Sequence, residues 1–204
     1  MPSHPFFRSA GLFVKTDFLD PRECAHIRAQ MREAASRKAL IFKKNGDEGA
    51  LDESWRKVLC VSVEKPLANL VKTRLLEVKP SLEEHFRVPL TDCQGPNFLR
   101  YDENAFYKLH RDADSEAPPD IVHRKVSAVI FLNANSKEPS SDGYAGGALT
   151  FYGLLPGPQW EKCAFSFEAP AGLLIAFPSN IAHEVQPVTS GQRFTIACWF
   201  TGNG

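Results

Sequence analysis

The chain has 204 residues and a hydrophobic content of 43%, which is enough for one well-buried core of ordinary domain size. Its 24 Lys and Arg residues balance its 24 Asp and Glu residues, so no net charge favours a nucleic acid or an anionic membrane as a partner. It has no apolar run of membrane-spanning length, no secretion-signal pattern at its start and no C-x-x-C pair among its five cysteines. We therefore expect one cytoplasmic domain over residues 1–204 without disulfides, with the oligomeric state left open.

The first part of the chain is predicted to be mainly helical. Asp20 precedes a proline and lies three positions before Glu23, which is the order of a capping box, so a helix should begin there. A second helix is predicted from about Pro66, and Pro80 should end or kink it. Between the two helices, the charged and glycine-containing segment 43–54 predicts a hairpin tip or a mobile loop.

From residue 98 onward the pattern changes to short runs rich in Phe, Val, Ile and Thr, separated by turn residues. The candidate strands are 98–101, 105–110, 125–132, 147–152, 163–168, 172–177, 183–188 and 193–200. Their spacing fits a jelly roll or another double-sheet barrel. Helices come first and strands later, so we predict an α+β fold in which residues 1–97 give mainly helical support and residues 98–201 form the β core.

The strand predicted over 193–200 has two different faces. Strict alternation places four residues on the first face: Arg193, Thr195, Ala197 and Trp199. The second face carries Phe194, Ile196, Cys198 and Phe200. The second, apolar face should pack on the N-terminal helices. The first face should look into the barrel, where a buried arginine needs an anion as its partner.

Two short segments carry the candidate chemistry. His110 and Asp112 are two positions apart at a strand end and project to the same side, a pattern that alone also fits a surface ion pair. His183 on a later strand and Arg193 ten residues beyond it complete a set. Two imidazoles and one carboxylate bind iron(II) on one face and leave three positions open, and a guanidinium fork suits the distal carboxylate of a 2-oxo acid. A zinc hydrolase could use the same three ligands, but it would leave Arg193 without a role.

Five motifs follow one another in this region: Tyr101-x-x-Asn104-x-x-Tyr107-x-x-His110-x-Asp112, Arg124-x-x-Ser127, Phe131-Leu132-Asn133, Gly146-Gly147-x-Leu149-x-Phe151, and Gly172-x-Leu174-x-Ala176-Phe177-Pro178-Ser179 before His183 and Arg193. In this order they resemble the 2-oxoglutarate and iron(II)-dependent dioxygenases, within them the prolyl 4-hydroxylase-like branch. The resemblance covers about residues 98–201. It implies a double-stranded β-helix, which is a jelly roll, with N-terminal packing helices and a metal inside one end.

The resemblance also implies roles for individual residues. The metal ligands for Fe(2+) would be His110, Asp112 and His183. Arg193 would bind the C5 carboxylate of 2-oxoglutarate, assisted by residues at the matching hydroxyl positions, Tyr101 and Ser127, and by its neighbour on the same face, Thr195. Tyr107 and Trp199 match positions that lie near the substrate in prolyl hydroxylases. Each of these side chains has a structural alternative as an ordinary barrel residue.

The implied activity is hydroxylation of an unactivated C–H bond with 2-oxoglutarate as co-substrate and O2 as oxidant, with release of succinate and CO2. The resemblance favours a protein or peptide residue as substrate, and whether ascorbate is required is left open. Arg193 stands where collagen-type enzymes usually have lysine, which argues against a collagen-like substrate. The alternatives are a hydroxylase of a free amino acid or other small metabolite, and a non-catalytic iron or 2-oxoglutarate sensor.

Three loops are expected to form the rim or lid of the site: 43–54, 113–122 and 136–147. The acidic residues of the second loop, Asp114, Glu116 and Asp120, weakly suggest a cationic or zwitterionic substrate, although a solvated acidic loop is the commoner explanation. Asn104 replaces the usual glycine of its motif, which is tolerable because asparagine adopts the left-handed backbone region more readily than most residues.

Overall fold

A computed structural model describes residues 5–41, 50–113, 119–136 and 142–203. Its helices are α1 (Pro5–Ser9), α2 (Pro21–Glu33), α3 (Lys65–Phe86) and α4 (Pro119–Val122), with a 3-10 helix at Pro158–Trp160. Its strands are β1 (Phe13–Lys15), β2 (Ser36–Lys38), β3 (Arg56–Lys57), β4 (Leu59–Val61), β5 (Cys93–Tyr101), β6 (Phe106–His110), β7 (Arg124–Phe131), β8 (Tyr144–Gly146), β9 (Leu149–Tyr152), β10 (Ala164–Phe167), β11 (Leu174–Pro178), β12 (His183–Val185), β13 (Val188–Gly191) and β14 (Arg193–Thr201). None of the described helices is long and apolar enough to cross a membrane.

The strands form two main antiparallel sheets. The larger has the order β1-β11-β7-β14-β5-β4-β2, the smaller has the order β10-β9-β12-β6-β3, and β8 pairs with β13 beside them. Buried residues of both main sheets, such as Leu99 and Phe177 from the larger and Phe151 and Val185 from the smaller, share one apolar core. This two-sheet arrangement with helices on one side is the predicted jelly roll.

A second core lies between the larger sheet and the helices. Helix α2 begins as predicted: the Asp20 side chain accepts hydrogen bonds from the N–H groups of Arg22 and Glu23, and Glu23 accepts from Asp20 N–H. Phe194, on the apolar face of β14, is fully buried in the same cluster as residues of α2 and α3. The prediction that this face packs on the helices is confirmed.

Of the two predicted outcomes, an end or a kink at Pro80, the first is wrong, because helix α3 continues through Pro80 to Phe86. A kink at the proline stays a prediction. Leu75, Val78 and Leu82 lie on both sides of Pro80 and are all buried against the sheet. The carbonyl that the proline leaves without its helical partner belongs to Leu76, a residue that is exposed to water. Packing of the continuous apolar stripe therefore outweighs the loss of one hydrogen bond.

The segment 1–97, predicted to be mainly helical, also contributes four short strands. Strand β1 pairs with one edge of the larger sheet, and β4 and β2 extend the opposite edge. Each has only two or three residues, which is too short for a period-of-two pattern to stand out in the sequence. Strand β3 pairs with β6 and extends the edge of the smaller sheet.

Several predicted strands have different bounds in the structure, and the strand predicted over 98–101 already begins at Cys93. The segment predicted over 147–152 forms a strand only from Leu149, because Gly146 and Gly147 have backbone φ values of +70° and +62°. The segment predicted over 183–188 is divided between β12 and β13. Pro187, which has no N–H group to donate, lies at the division.

The predicted rim loops are described only in part. An antiparallel bridge joins Ile41 to Ala50 at the base of the predicted hairpin tip, whereas residues 43–49 lie outside the described residues. Residues 114–118 and 137–141 also lie outside them, including Asp114 and Glu116, as does the side chain of Asp120. The lid role of these loops stays a prediction.

Candidate active site

Three predicted metal ligands meet at one end of the barrel. His110 ends β6, Asp112 lies in the turn that follows, and His183 begins β12. His110 Nε2 is 3.7 Å from Asp112 Oδ1, and His183 Nε2 is 3.5 Å from Asp112 Oδ2. One ligand atom from each residue lies within 4.8 Å of the others, so the three side chains could hold one metal ion.

The two histidines are oriented by the same local contact. His110 Nδ1 lies 2.8 Å from the carbonyl oxygen of Lys108, and His183 Nδ1 lies 2.9 Å from that of Ile181. Because a carbonyl only accepts, each Nδ1 must donate its hydrogen. Each Nε2, which points toward Asp112, is therefore the ring nitrogen left available to a metal.

Strand pairing brings these residues together. His183 pairs with His110 across β12 and β6, and the register then shifts so that Val185 pairs with Tyr107. This bulge inserts an extra residue in β6 and directs both Tyr107 and His110 to the interior. The N–H group of Asp112 donates to the carbonyl of Ser179 over 2.9 Å, which ties the turn to the end of β11.

The site combines an ionised acid with a neutral base. Burial, followed by the proximity of His183, lowers the pKa of His110 to about 3, so its imidazole is neutral at pH 7. Burial raises the pKa of Asp112, but the two histidines and hydrogen bonds from Ser127 and Trp199 outweigh it, so the net pKa is lowered. No Lys or Arg side chain pairs with the Asp112 carboxylate within the described residues. A buried, ionised carboxylate needs a cation to balance its charge.

Arg193 is a buried cation for which the described residues supply no matching anion. Its side chain is 1% exposed, and its guanidinium carbon lies 4.9 Å from the ring centre of Tyr101 and 5.2 Å from that of Phe131. Nη1 makes one long contact, 3.4 Å, to the hydroxyl of Thr195. Among the described residues, nothing accepts a hydrogen bond from its Nε or Nη2. The two unused donors form a planar fork, which suits a carboxylate.

The structure groups the predicted co-substrate residues unequally. Tyr101 and Thr195 are buried beside Arg193. Ser127, in contrast, pairs with Trp199 across β7 and β14, whereas Phe131 pairs with Thr195 at the Arg193 end of the strand. The Ser127 hydroxyl accordingly lies within hydrogen-bonding reach of Asp112 and 2.9 Å from Ser179 Oγ. Sequence reasoning missed the contact of Phe131 with Arg193, because the contact depends on a strand register that the Phe131 motif does not specify.

The two predicted substrate residues each touch a metal ligand. The Tyr107 ring stacks on His110, with 3.5 Å between ring centres and an interplanar angle of 17°. The Trp199 indole N–H lies within reach of the Asp112 carboxylate, whose pKa it helps to lower. Two arginines to which the sequence analysis assigned no role lie over these rings: Arg56 is 4.5 Å from the Tyr107 ring centre, and Arg124 is 4.0 Å from that of Trp199.

Asn104 has a backbone φ of 62°, so it occupies the left-handed region as predicted for its motif. Its N–H group donates to the carbonyl of Val188 over 2.8 Å, and Val188 N–H donates in return to Ala105 over 3.0 Å. This turn holds the end of β5, which carries Tyr101, to the start of β13. The substitution for glycine therefore leaves the geometry of the motif intact.

A family model matches residues 96–201, and its description is 2OG-Fe(II) oxygenase superfamily. The matched segment begins in β5 and ends in β14, so it contains both histidines, Asp112 and Arg193. It covers half of the chain, including most of β5 and all strands from β6 to β14.

Several curated proteins are similar in sequence. A PKHD-type hydroxylase of Alteromonas mediterranea is 36% identical over 107 residues, which cover 51% of this chain and 42% of that protein. The PKHD-type hydroxylase YbiX of Shigella flexneri is 28% identical over 188 residues, which cover 89% of this chain and 74% of that protein. The match thus spans less than half the length of the first relative and about three quarters of the second.

Two solved structures share the fold. A prolyl-4-hydroxylase of Pseudomonas putida has a TM-score of 0.67 and 21% identity, with 98% of this chain and 97% of that chain covered. A prolyl hydroxylase of Trichoplax adhaerens, solved with a hypoxia inducible factor peptide fragment, has a TM-score of 0.68 and 17% identity, with 97% and 86% covered. The likeness extends over nearly the whole chain and therefore includes the N-terminal helices.

Proposed function

Because the chain belongs to the 2OG-Fe(II) oxygenase superfamily, we propose that it is an iron(II)- and 2-oxoglutarate-dependent hydroxylase of the prolyl hydroxylase-like kind. The proposal rests on two buried charges of opposite sign inside one barrel, each of which needs a bound counter-ion. A buried carboxylate between two imidazoles needs a cation, and a buried guanidinium needs an anion. Tyr101 lies close enough to both that Arg193 and Asp112 each affect its pKa.

The residues present fit an iron(II) ion. His110, Asp112 and His183 would be its ligands, because two neutral imidazoles and one carboxylate form the facial set that leaves three positions open. The fixed Nδ1 contacts of both histidines supply the outer hydrogen bonds that metal-bound imidazoles ordinarily have. A zinc hydrolase would use the same trio but has no use for Arg193.

The residues also fit 2-oxoglutarate. Arg193 would bind its C5 carboxylate through Nε and Nη2, which lack acceptors among the described residues. The hydroxyls of Tyr101 and Thr195 would assist on the same side. Ser127 was also expected to assist, but its contacts with Asp112 and Ser179 support a role at the metal side of the site instead.

When bound, iron(II), 2-oxoglutarate and O2 together supply the oxidation, with succinate and CO2 as by-products. The chain contributes binding and orientation. Arg193 fixes one end of the co-substrate, and the buried aromatic rings of Tyr101 and Phe131 keep water from that end. The ring of Tyr107 stacks on His110 and fixes the orientation of its imidazole. Such fixed contacts cost no reorganisation during the reaction.

A protein or peptide residue is the proposed substrate, with proline first. The support is the PKHD-type hydroxylase names of the relatives and the peptide in the Trichoplax structure. Free amino acids and other small metabolites remain the alternative substrates. The described rim residues Arg56 and Arg124 are cationic, which does not support the cationic substrate suggested by the acidic loop. A cytoplasmic location, independence of nucleic acid and membrane, and the ascorbate requirement stay predictions.

The test is succinate formation from 2-oxoglutarate with iron(II) and O2, in the absence and presence of proline-containing peptides. Asp112→Ala and Arg193→Ala should abolish it, whereas Asp92→Ala and Arg37→Ala, which change exposed side chains of the same types, should not. If the wild-type protein binds iron(II) and 2-oxoglutarate but never makes succinate, the sensor function replaces the proposed one. If it binds iron(II) but not 2-oxoglutarate, the oxygenase assignment itself fails.

A further inference from the structure

Three polar or amphipathic residues lie side by side across the larger sheet. Trp199 on β14 pairs with Gln94 on β5 and with Ser127 on β7. The β14–β5 register shifts between Ala197 and Trp199, so the indole lies at an irregular point of an otherwise regular strand pair. Asp112 lies in a turn beyond the sheet and receives contacts from this row.

The Asp112 carboxylate has two polar neighbours besides the histidines. The Trp199 indole N–H lies beside it as a donor, whereas the Ser127 hydroxyl, which also lies beside it, donates its hydrogen to Ser179 Oγ. Ser127 is 1% exposed and lies 2.9 Å from Ser179 Oγ, while the Ser179 carbonyl accepts the backbone N–H groups of Asp112 and Ala113 over 2.9 and 3.0 Å. Both the backbone and the carboxylate of Asp112 are therefore held.

The Trp199 indole also packs against Arg124, which covers one face of the ring. The guanidinium carbon of Arg124 lies 4.0 Å from the Trp199 ring centre. Arg124 Nε donates to Gln94 Oε1 over 2.8 Å, and its Nη1 makes a 3.4 Å contact to the carbonyl of Asp112. Gln94 thus fixes the arginine that covers the indole, and the indole faces the carboxylate.

We propose that Trp199 is a positioning residue for Asp112, that it acts through its indole N–H, and that Arg124 and Gln94 brace it. The inference rests on the proposed function, since it takes Asp112 as a metal ligand. A carboxylate on a turn can rotate about two side-chain bonds, and hydrogen bonds to its outer lone pairs fix the oxygen that faces the metal. The Asp112 carboxylate then already has its metal-binding orientation in the metal-free protein.

This role differs from that of a substrate wall. A wall needs only an apolar ring, which phenylalanine supplies as well as tryptophan. A positioning residue needs the N–H group, which only the indole has. The N–H group therefore decides between the two roles, and Trp199→Phe separates them because it keeps a ring under Arg124 while it removes the donor.

The experiment measures the affinity of the metal-free protein for Co(II) and for Fe(II) under anaerobic conditions, without 2-oxoglutarate or substrate. Loss of an outer hydrogen bond to a metal ligand typically weakens metal binding by about 10–100-fold, and that is the loss expected for Trp199→Phe. Trp160→Phe is the matched control, because Trp160 is 42% exposed in the 3-10 helix and should leave the affinity unchanged. The Co(II) absorption bands should also shift in Trp199→Phe alone.

Arg124→Lys tests the brace in a double-mutant cycle. It keeps the charge but loses the planar group, and it should weaken Co(II) binding less than Trp199→Phe does. In the Trp199→Phe background it should cause no further loss, because its effect passes through the indole. Additive losses would show that Arg124 acts on Asp112 directly and would overturn the brace.

The outcomes are distinguishable from failure of the proposed function. Wild-type metal affinity in Trp199→Phe, accompanied by a raised KM for a peptide substrate, would overturn the positioning role and leave the oxygenase assignment intact. Absence of metal binding by the wild-type protein would overturn both. Weakened metal binding with an unchanged unfolding temperature of the metal-free protein would support the positioning role and exclude general misfolding.

Discussion

Arg193 passes so close to Gly147 that a methyl group on the glycine would lie 3.0 Å from the arginine Cδ. The same methyl group would lie 2.9 Å from Val188 Cγ2, and the backbone φ of Gly147 is +62°. The glycine in this motif therefore has a steric function. It leaves the space through which the Arg193 side chain extends to its proposed co-substrate site.

Gly147→Ala should raise the KM for 2-oxoglutarate by about 10-fold, because displacement of Arg193 by a few tenths of an ångström misaligns its two donors. It should also reduce stability by about 1 kcal/mol through backbone strain. Gly153→Ala is the control, since Gly153 has a similar φ of +67° but its closest neighbour would be 3.4 Å away. Equal KM values in the two variants would contradict the steric function.

Arg193→Met should abolish 2-oxoglutarate binding while it leaves the metal-free protein as stable as the wild type or more stable by about 1–4 kcal/mol. A buried cation without an anion is costly, and an apolar side chain of similar length removes that cost. The measurement is the unfolding temperature with and without 2-oxoglutarate. The co-substrate should raise it in the wild type only. A strong destabilisation of the variant without ligand would mean that Arg193 has a structural role.

Tyr107→Ala should weaken Fe(II) or Co(II) binding by about 10-fold, because it removes the ring that stacks on His110. Tyr107→Phe keeps the stack and should bind the metal as the wild type does. Turnover of the phenylalanine variant then reports on the hydroxyl alone. A normal metal affinity in the alanine variant would show that the stack does not orient His110.

Glu23→Gln should lower stability by about 0.5–1 kcal/mol at pH 7 and have no effect near pH 2. The hydrogen bond from Arg74 is the main cause of the lowered pKa of Glu23. The stabilisation is therefore complete above the unfolded-state pKa and is lost as the pH falls through the lower folded-state value. Glutamine can retain the capping box, so urea unfolding at several pH values measures the ion pair between α2 and α3. A pH-independent difference would contradict this origin.

Pro80→Ala should raise stability by about 1–3 kcal/mol, because alanine restores the hydrogen bond to the Leu76 carbonyl in the middle of α3. Thermal unfolding measures the effect. Pro66→Ala, in the first turn of the same helix, is the matched control and should bring no gain, since a proline there costs no hydrogen bond. A destabilised Pro80→Ala would mean that the proline has a packing role.

The sequence predicted those features that depend on local patterns. The capping box at Asp20 and the alternation along β14 are each determined by residues near in the chain, and both are found in the structure. The approach of His110 to His183 was predictable because the family motif combines the two. The sequence could not predict β3, since two residues have no periodicity.

Contacts that depend on cross-strand register were not predictable. Ser127 and Phe131 both face the barrel interior, and a sequence does not say which of them lies at the Arg193 end. The stacking of Arg56 and Arg124 on Tyr107 and Trp199 is of the same kind, because it joins residues that are distant in the chain. The continuation of α3 through Pro80 required knowledge of tertiary packing, which overrides local propensity.

Strand β14 lies between β5 and β7 in the larger sheet, so its backbone is hydrogen-bonded along both edges. His110 instead lies on β6, next to the two-residue strand β3 at the edge of the smaller sheet. Amide hydrogens of β14 should therefore exchange with solvent among the slowest in the chain, and those around His110 considerably faster. Partial opening of the smaller sheet would then release the proposed iron(II) ion while the Arg193 side chain kept its position. The protein could therefore lose and regain iron while its proposed binding site for the 2-oxo acid stayed folded.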